Sequence, residues 1–281
     1  MKLREYVAAA ADRLRKAGVP EPENDAWLLF SDSFGMDRTQ YILDSERDFT
    51  PDPGREKRFA DRMAQRERRI PLQRILQVQN FFGLDLAVRP DVLIPRGDTE
   101  ILAEQVLLWS EKHPGGRFLD LCTGSGCVAA AVGRFGRFDH IAAADLSGAA
   151  VSAAAENTKR CGVQAELFQG DLFEPVQGKF DAIASNPPYI ESGAIASLEP
   201  EVSRYEPAMA LDGGADGLDF YRRIAAQGAD YLTGNGALFL EIDGSQSRAV
   251  SELLEKNRFG KIRVVKDYAG IDRVVTAERQ S

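Results

Sequence analysis

The chain has 281 residues, of which 44% are hydrophobic, so we expect one large domain or two domains with a sizeable core, and not a disordered chain. The formal net charge of −8 argues against a general nucleic-acid-binding protein, which usually needs a basic surface. With two histidines and three cysteines, the sequence predicts neither a metal site nor a disulfide framework. The first residues lack the apolar run of a signal peptide, and no stretch is long and apolar enough for a membrane span. We therefore expect a soluble protein of the cytoplasm.

The first 75 residues predict a helical domain. Apolar residues at helical spacing, with proline and glycine at the breaks, predict helices over Leu3–Leu14, Pro22–Gly35, Tyr41–Leu43 and Asp52–Pro71. The stretch Arg55–Arg74 is rich in basic residues, and such a run is most often a solvated helix face. Residues 76–97 then predict a β-hairpin linker, because apolar residues alternate along Phe81–Val88.

From residue 98 to residue 281 the pattern changes to alternating strands and helices. The predicted strands are Phe118–Leu121, Ile141–Asp145, Glu166–Phe168, Phe180–Ser185, Ala237–Ile242, Lys261–Asp267 and Val274–Thr276. Helical stretches lie between most of them. This alternation predicts an α/β fold with a doubly wound, mostly parallel sheet covered by helices on both faces.

A glycine loop follows the first strand of this predicted sheet. The strand carries Asp120, and Gly124 and Gly126 then let the backbone approach a ligand before an alanine-rich helix begins. In a doubly wound sheet such a turn lies at the carboxyl ends of the strands, where ligands bind. A nicotinamide site would typically have a third glycine where Ala129 stands, so the loop better fits a cofactor with a cationic amino-acid part. Taken alone, the loop is also typical of a tight turn in any α/β protein.

Acidic residues end the next two strands. Asp145 stands about 20 residues after the glycine loop, where a carboxylate can accept two ribose hydroxyls, and Asp171 is placed to cap an adenine edge. Each acid alone is also typical of a helix N-cap or a solvated turn. Together with Asp120, and because the sequence has no phosphate-binding P-loop, they favour an adenosine-containing ligand without a triphosphate.

The turn Asn186-Pro187-Pro188-Tyr189 follows the fourth strand. Prolines cannot donate to a sheet ladder, so the strand ends there, and their fixed φ makes the carbonyl directions rigid. The amide oxygen of Asn186, the carbonyl of Pro187 and the ring of Tyr189 suit a planar NH₂ group, held by accepted hydrogen bonds and a stacking surface. Asn-Pro is also a frequent turn former.

With these motifs the chain resembles S-adenosylmethionine-dependent methyltransferases that act on a planar NH₂ group. Three further stretches are similar to the peptide chain release factor glutamine methyltransferases, the HemK/PrmC family: Val92–Glu100, Arg204–Pro207 and Asp216–Tyr221. The resemblance extends over nearly the whole chain. The sequence departs from the family pattern at Gly97, where proline is common, at Asp243, where glycine is common, and at Cys122, which replaces a frequent glycine.

The resemblance implies a seven-stranded sheet of the Rossmann-like class I methyltransferase type over residues 98–281 and a substrate-docking role for the helices of residues 1–75. It implies methyl transfer from S-adenosyl-L-methionine, leaving S-adenosyl-L-homocysteine, to the side-chain amide nitrogen N5 of the glutamine in the Gly-Gly-Gln motif of bacterial release factors. The implied cofactor residues are Asp120, Cys122, Thr123, Gly124, Ser125, Gly126, Asp145, Leu146, Asp171, Leu172 and Asn186. The implied substrate residues are Asn186, Pro187, Pro188 and Tyr189, of which Asn186, Pro187 and Tyr189 are the catalytic set. No metal, membrane or nucleic-acid substrate is implied.

Three alternatives share parts of this site. A glutamine methyltransferase acting on a ribosomal protein would have the same residues throughout. An adenine-N6 methyltransferase acting on nucleic acid would use the same turn but would need a basic channel and a base-flipping platform. A protein that binds the cofactor without catalysis would keep only the adenosine site. A Gly-Gly-Gln loop is small, so a second contact with the release factor is expected, and Arg55–Arg74 is either that contact or a solvated face.

Overall fold

The computed structural model describes residues 1–280, which form two compact units. The first unit contains residues 1–77 and 199–205, and the second contains residues 78–198 and those from 206 onward. The hairpin expected as a linker lies in the second unit, and the return of residues 199–205 to the first unit was not among the predicted boundaries.

The secondary structure alternates as expected after the first five helices. In chain order the helices are α1 (Leu3–Lys16), α2 (Pro22–Phe34), α3 (Arg38–Asp44), α4 (Pro53–Glu67), α5 (Leu72–Leu76), α6 (Thr99–Lys112), α7 (Cys127–Phe135), α8 (Gly148–Arg160), α9 (Pro200–Ser203), α10 (Asp219–Tyr231) and α11 (Ser247–Glu255). The strands are β1 (Val78–Phe81), β2 (Leu84–Ala87), β3 (Arg117–Leu121), β4 (His140–Asp145), β5 (Ala165–Gln169), β6 (Phe180–Ser185), β7 (Leu232–Glu241), β8 (Phe259–Lys266) and β9 (Asp272–Arg279).

Several predicted ends of helices and strands differ from the observed ones, and two of them differ by more than three residues, for local reasons. Helix α4 ends at Glu67 and not at Pro71, because Arg69 has a φ of 66° and the backbone leaves the helix before it. Pro71 instead stands before α5. Strand β7 begins at Leu232, five residues before the predicted start, since its two glycines hid the beginning of the strand.

The first unit buries one side of its helices in an aromatic core. Phe30 is fully buried and packs against Phe34 with the ring centroids 4.6 Å apart, while Tyr6 meets the rings of Phe49 and Phe59. Each aromatic ring buries a large apolar area, so this cluster supplies much of the driving force for folding this small unit.

Several arginines of the basic stretch form ion pairs within the first unit. Arg66 is only 4% exposed, and its guanidinium donates to Asp25 at 2.7 Å and to Glu201 at 2.8 Å. Arg69 binds both carboxylate oxygens of Glu201 at 2.6 Å, and Arg62 pairs with Asp32. These three arginines are therefore largely buried in ion pairs, which contradicts the expectation of a solvated helix face.

The second unit is built on a seven-stranded sheet with the order β5-β4-β3-β6-β7-β9-β8. The first five strands in this order pair in parallel, and β9 is antiparallel to both of its neighbours. Two separate layers of buried apolar residues pack in this unit, one including Leu121, Ile183 and Leu240 and the other Phe118, Ala143 and Phe239. Because side chains alternate across a strand, these layers cover opposite faces of the sheet, which confirms the predicted doubly wound α/β fold.

The strand order fixes where a ligand can bind. From β3 the chain proceeds outward through β4 to β5, and it then returns to place β6 on the other side of β3. The loops after β3 and β6 therefore leave the sheet in opposite directions and open a crevice at the carboxyl ends of the strands. The glycine loop follows β3 and the Asn-Pro-Pro-Tyr turn follows β6, so both border this crevice.

Candidate active site

The glycine loop joins β3 to α7 through backbone that few side chains tolerate. Gly124 and Gly126 have φ values of 54° and 78°. A Cβ on Gly126 would lie 2.7 Å from Ala154 Cα, so glycine is required there for α7 to pack against α8. A Cβ on Gly124 would meet no atom within 4 Å, which leaves its backbone open to a ligand. Cys122 also has a positive φ, 60°, which explains why glycine is common at this position.

Asp120 lies beneath the loop and is 1% exposed. Its Oδ2 accepts a hydrogen bond from Thr123 Oγ1 at 2.5 Å and another from Ala129 N at 3.0 Å, at the start of α7. Burial raises the pKa of Asp120 to about 7, although these two donors favour the ionised form. Burial thus opposes the ionisation of Asp120, and a cation bound beside it would favour the charged form.

Asp145 ends β4 and is bound to the glycine loop. Its Oδ2 accepts from Gly124 N at 2.8 Å, and its Oδ1 accepts from Ser147 N at 2.9 Å. Burial raises the pKa of Asp145 from its usual value, against the effect of these backbone donors. The carboxylate thus reaches the position predicted for it and also stabilises the loop.

A cleft of about 720 Å³, including its open mouth, lies over the carboxyl ends of β3, β4 and β6. The walls combine acids with apolar side chains, and two of the latter, Leu146 and Met209, are about half exposed. The lining residues include Asp91, Leu93, Cys122, Gly124, Asp145, Leu146, Asp171, Leu172, Asn186, Pro188, Pro207, Met209 and Phe220.

A second cavity adjoins the cleft on the side of α6 and α7. It is lined by Asp120, Thr123, Ser125 and Cys127 together with Ile94, Pro95, Arg96 and Thr99. Four residues line both spaces: Leu93, Cys122, Gly124 and Asn186. An elongated ligand can therefore extend from the acids of the cleft to Asp120, with Asn186 beside its middle.

The remaining predicted cofactor residues are distributed around this space. Asp171 lines the cleft and pairs with Arg223 at 2.7 Å, and Leu172 is buried with a φ of 49°. Gly126 lines neither cavity, since its role is in the packing of α7 against α8. Of the predicted cofactor residues, the structure therefore places all but Gly126 on a cavity wall.

The predicted substrate residues divide into two groups. Asn186 and Pro188 line the cleft, whereas Pro187 and Tyr189 line neither of the two cavities. Tyr189 lies mostly buried against the core, and burial raises the pKa of its phenol. Stacking of Tyr189 on a substrate amide stays a prediction, because in this arrangement its ring packs inside the protein.

The turn of Asn186–Tyr189 packs against Gly213, against Gly217 of the Asp216–Tyr221 stretch, and against Gln246. A Cβ on Gly217 would lie 2.3 Å from the carbonyl oxygen of Tyr189, and one on Gly213 would lie 2.7 Å from Tyr189 Cα. Gln246 Nε2 donates to the carbonyl oxygens of both Tyr189 and Gly217. These two glycines thus permit a loop to pack directly on the backbone of the turn.

Similarity to known proteins identifies the family. Residues 5–76 match the PrmC N-terminal domain, and residues 98–199 match the methyltransferase small domain. The release factor glutamine methyltransferase of Geobacter sulfurreducens is 39% identical over 266 residues, which cover 93% of this chain and 91% of that protein. The protein of the same name from Agrobacterium fabrum is 38% identical over 277 residues, which cover 96% and 95% of the two chains. The chain belongs to the release factor glutamine methyltransferase family.

The predicted family resemblance is thereby confirmed, and structural similarity agrees on the fold. A solved methyltransferase from Pyrococcus furiosus superposes with a TM-score of 0.55 at 19% identity, covering 79% of this chain and 100% of that one. A similarity at 19% sequence identity concerns the fold and not the function. The shared fold is that of the class I methyltransferases. No helix within residues 1–280 is long and apolar enough to cross a membrane, and no cluster of possible metal ligands was found among the same residues.

The departures at Asp243 and Gly97 from the pattern of the release factor glutamine methyltransferases cause no visible distortion. Asp243 Oδ1 accepts from the backbone N and the hydroxyl of Ser245, so a side chain is useful at this turn. A Cβ on Gly97 would meet no atom within 4 Å. Beside it, Arg96 donates to the buried carboxylate of Glu206 at 3.0 Å, which joins the Val92–Glu100 and Arg204–Pro207 motifs.

Sequence reasoning included Thr99 only as a weak part of the Val92–Glu100 resemblance, and it assigned no role to Glu241. Thr99 is 2% exposed, and its Oγ1 accepts from Asn186 Nδ2 at 3.1 Å. Glu241, the last residue of β7, is 1% exposed, and burial raises its pKa to about 7. The signal for Thr99 was its place in the Val92–Glu100 stretch, and that for Glu241 was an acid at the carboxyl end of an apolar strand.

Proposed function

We propose that this chain transfers a methyl group from S-adenosyl-L-methionine to the N5 amide nitrogen of the glutamine in the Gly-Gly-Gln motif of bacterial release factors. The observation that carries the proposal is the position of Asn186. It borders both cavities at the switch point of the sheet, where a planar amide can approach the middle of an elongated cofactor. The family supports the choice of a glutamine amide as acceptor.

The described residues fit S-adenosyl-L-methionine along the whole length of the two cavities. Asp145 would accept the ribose hydroxyls, and the exposed apolar side chains of Leu146 and Met209 would cover the adenine faces. The carboxylate of Asp120 would attract the ammonium group in the second cavity. S-adenosyl-L-homocysteine would remain in the same place after transfer.

Catalysis would rest on orientation, because an amide nitrogen is a poor nucleophile whose lone pair is delocalised. When bound, the cofactor supplies a strongly electrophilic methyl group on its sulfonium. Asn186 Nδ2 is engaged by Thr99, which leaves Asn186 Oδ1 as an acceptor for an N–H of the substrate amide. The carbonyl of Pro187 would accept the other N–H, and the rigid prolines keep both acceptors in place. Holding the nitrogen in line with the methyl carbon accounts for the acceleration without a side-chain nucleophile.

Methylation of a purified release factor tests this proposal. The protein is incubated with cofactor labelled at the methyl group, and the label is located by mass spectrometry after digestion. We expect the label on the glutamine of Gly-Gly-Gln, and no label on a matched release factor in which that glutamine is replaced by asparagine. Label on a ribosomal protein or on adenine in nucleic acid, with none on the release factor, would refute the proposed acceptor.

We further propose that the first unit docks the body of the release factor, since Gly-Gly-Gln offers little area for binding. Ile42 and Leu43 of α3 are exposed by 63% and 74%, and these apolar side chains suit a protein partner better than the paired arginines of α4. The double variant Ile42→Ser, Leu43→Ser should lower kcat/KM for the intact release factor and leave a short Gly-Gly-Gln peptide unaffected. Leu108→Ser, at a half-exposed leucine of α6, is the control. An equal effect on both substrates would exclude docking through α3.

We also propose that the protein acts in the cytoplasm, where translation termination takes place.

A further inference from the structure

One buried asparagine joins two parts of the second unit that are distant along the chain. Asn157 lies on α8 and is fully buried. Its Oδ1 accepts a hydrogen bond from Ala87 N at 2.8 Å, and its Nδ2 donates to Ala87 O at 3.1 Å and to Ser125 O at 2.9 Å. Ala87 is the last residue of β2, and Ser125 belongs to the glycine loop. The same side chain therefore connects the end of the hairpin to the loop that follows β3.

These three hydrogen bonds determine the orientation of the Asn157 amide. Its NH₂ group has two hydrogens, which suffice for one bond to each of the two backbone carbonyls. Its oxygen faces an N–H group, so an exchange of the two ends of the amide would place oxygen against two carbonyl oxygens. No other side chain of this size offers two donors and an acceptor in one plane. Position 157 thus needs an asparagine for its hydrogen bonds and not only for its volume.

Both of the connected parts are walls of the proposed cofactor site. Ser125 lines the second cavity, and Gly124 beside it lines both the cleft and that cavity. Three residues after Ala87 the chain provides residues 91–93, all of which line the cleft. The separation of these two walls is therefore set where Asn157 holds both of them.

Helix α8 contacts the same two parts at neighbouring positions. Ala154, three residues before Asn157 and on the same helix face, packs so closely on the glycine loop that a Cβ on Gly126 would lie 2.7 Å from its Cα. Glu156 accepts from Arg89 Nε at 2.9 Å, between β2 and the cleft. This ion pair is exposed to water and contributes little. Since no water reaches the groups that Asn157 binds, its loss would leave them without partners.

We propose that Asn157 is a positioning residue of the cofactor site, which keeps the glycine loop and residues 91–93 at the separation that the cofactor requires. This role rests on the proposed function, in which S-adenosyl-L-methionine occupies the cleft and the second cavity. Within residues 1–280, Asn157 is not among those that line either space, so in this scheme it does not touch the reacting atoms. Its loss should weaken cofactor binding and leave methyl transfer from the bound cofactor nearly unchanged.

Asn157→Asp tests this role with a side chain of the same shape. An aspartate has at most one proton to donate, so at least one of the two carbonyls loses its donor. We expect the Kd of the cofactor, measured by calorimetry, and its KM to rise roughly tenfold. The kcat at saturating cofactor should change by less than about twofold, and the KM for the release factor should stay as in the wild type.

Thr158→Val is the matched control. Thr158 is also buried on α8, but its hydroxyl donates to Ala154 O at 2.7 Å, within the helix. The variant should lose some stability and bind the cofactor as the wild type does. If Asn157 had only a structural role, both variants would show a lower Tm with an unchanged Kd for the cofactor.

Hydrogen exchange in the wild type tests the same connection without a substitution. If the contacts of Asn157 favour cofactor binding, bound cofactor must in turn stabilise those contacts. Exchange of the Ala87 N–H, followed by NMR, should therefore slow on addition of S-adenosyl-L-homocysteine by more than exchange of the Arg117 N–H. The Arg117 N–H is the internal control, because it also donates to a side chain, Asp181 Oδ2 at 2.8 Å, but at the start of β3.

The outcomes distinguish this role from the function on which it rests. A wild type that binds neither S-adenosyl-L-methionine nor S-adenosyl-L-homocysteine would refute both. A wild type that binds the cofactor without methylating a release factor would refute the proposed acceptor alone, and the Kd values would still decide the role of Asn157. An unchanged Kd in Asn157→Asp, or an equal rise in Thr158→Val, would refute the positioning role alone. If Asn157→Asp does not fold, exchange decides: a slowing at Ala87 no greater than that at Arg117 would refute the role.

Discussion

Gly124 donates its backbone N–H to Asp145 Oδ2 at 2.8 Å, so the glycine loop after β3 is fastened to the acid that ends β4. The proposed ribose acceptor and the backbone that approaches the cofactor are therefore one unit. A change at Asp145 would remove the proposed ligand contact and also free the loop, and both effects would weaken cofactor binding.

Asp145→Ala should weaken S-adenosyl-L-methionine binding by about 1.5–3 kcal/mol, the range for hydrogen bonds to a charged group. Titration calorimetry on the folded variant measures this. Asp139→Ala is the matched control, because Asp139 Oδ2 also accepts a backbone N–H, from Gly116, but lies before the other end of β4. Equal affinities for Asp145→Ala and the wild type would show that the ribose is bound elsewhere.

Asn186→Ala should lower turnover strongly while cofactor affinity changes little, because the substrate amide loses an acceptor that orients it. Single-turnover methylation of the release factor and calorimetry with the cofactor give the two quantities. Asn186→Asp keeps an acceptor oxygen but loses the N–H group that donates to Thr99. We therefore expect its turnover to fall more than its affinity for the cofactor. A turnover of Asn186→Ala near that of the wild type would contradict the proposed site.

Cofactor binding should become tighter as the pH rises from 6 to 8, by roughly tenfold, because the ammonium group favours ionised Asp120, whose pKa is raised to about 7. Binding near neutral pH should then release protons, which calorimetry in buffers of different ionisation enthalpy detects. The stability of the ligand-free protein should change with pH in the opposite direction. Because the pKa of Asp120 is higher in the folded than in the unfolded chain, its contribution to stability is complete below about pH 4 and is lost as the pH rises through 7. Asp120→Asn should flatten the pH dependence of binding, and an unchanged dependence would exclude Asp120 as its source.

The strands of the sheet could be predicted from the sequence because the central ones are short apolar runs that must be buried on both faces. Residues 180–185 are an example, predicted and observed with the same ends. The glycine loop, Asp145 and Asn186 could be related to one another because the carboxyl ends of parallel strands share one edge.

Contacts between segments that are distant along the chain could not be predicted from the sequence. The partners of Arg66 lie 41 and 135 residues away along the chain, and the sequence shows only a basic run. Thr99 and Asn186 are likewise 87 residues apart. In both cases the pairing depends on how helices and loops pack, which hydrophobic periodicity does not determine.

Gly126→Ala should destabilise the second unit more than Gly83→Ala does. Both glycines have a φ of 78°, so alanine costs roughly 1–2 kcal/mol of backbone strain at either position. Only at Gly126 would the new Cβ also meet a neighbour, 2.7 Å from Ala154 Cα, and overpacking adds about 1–3 kcal/mol. Denaturant unfolding of the two variants measures the difference. Equal losses in the free energy of unfolding would mean that α7 and α8 can move apart at little cost. Glycine would then be needed at position 126 only for its positive φ.

Arg66→Gln should destabilise the first unit by about 3–5 kcal/mol, because it leaves the buried carboxylate of Asp25 without its cation, whereas Glu201 keeps Arg69. Burial already raises the pKa of Asp25, so the variant should also lose stability as the pH rises and Asp25 ionises. Unfolding followed by circular dichroism at two pH values measures both effects. Lys57→Gln, at an exposed cation of α4, is the control and should change stability by less than about 0.5 kcal/mol. If Arg66→Gln is as stable as the wild type but has a reduced kcat/KM on the release factor, the basic stretch Arg55–Arg74 is supported as the docking surface. If the variant is unstable, Arg66 has a structural role within the first unit.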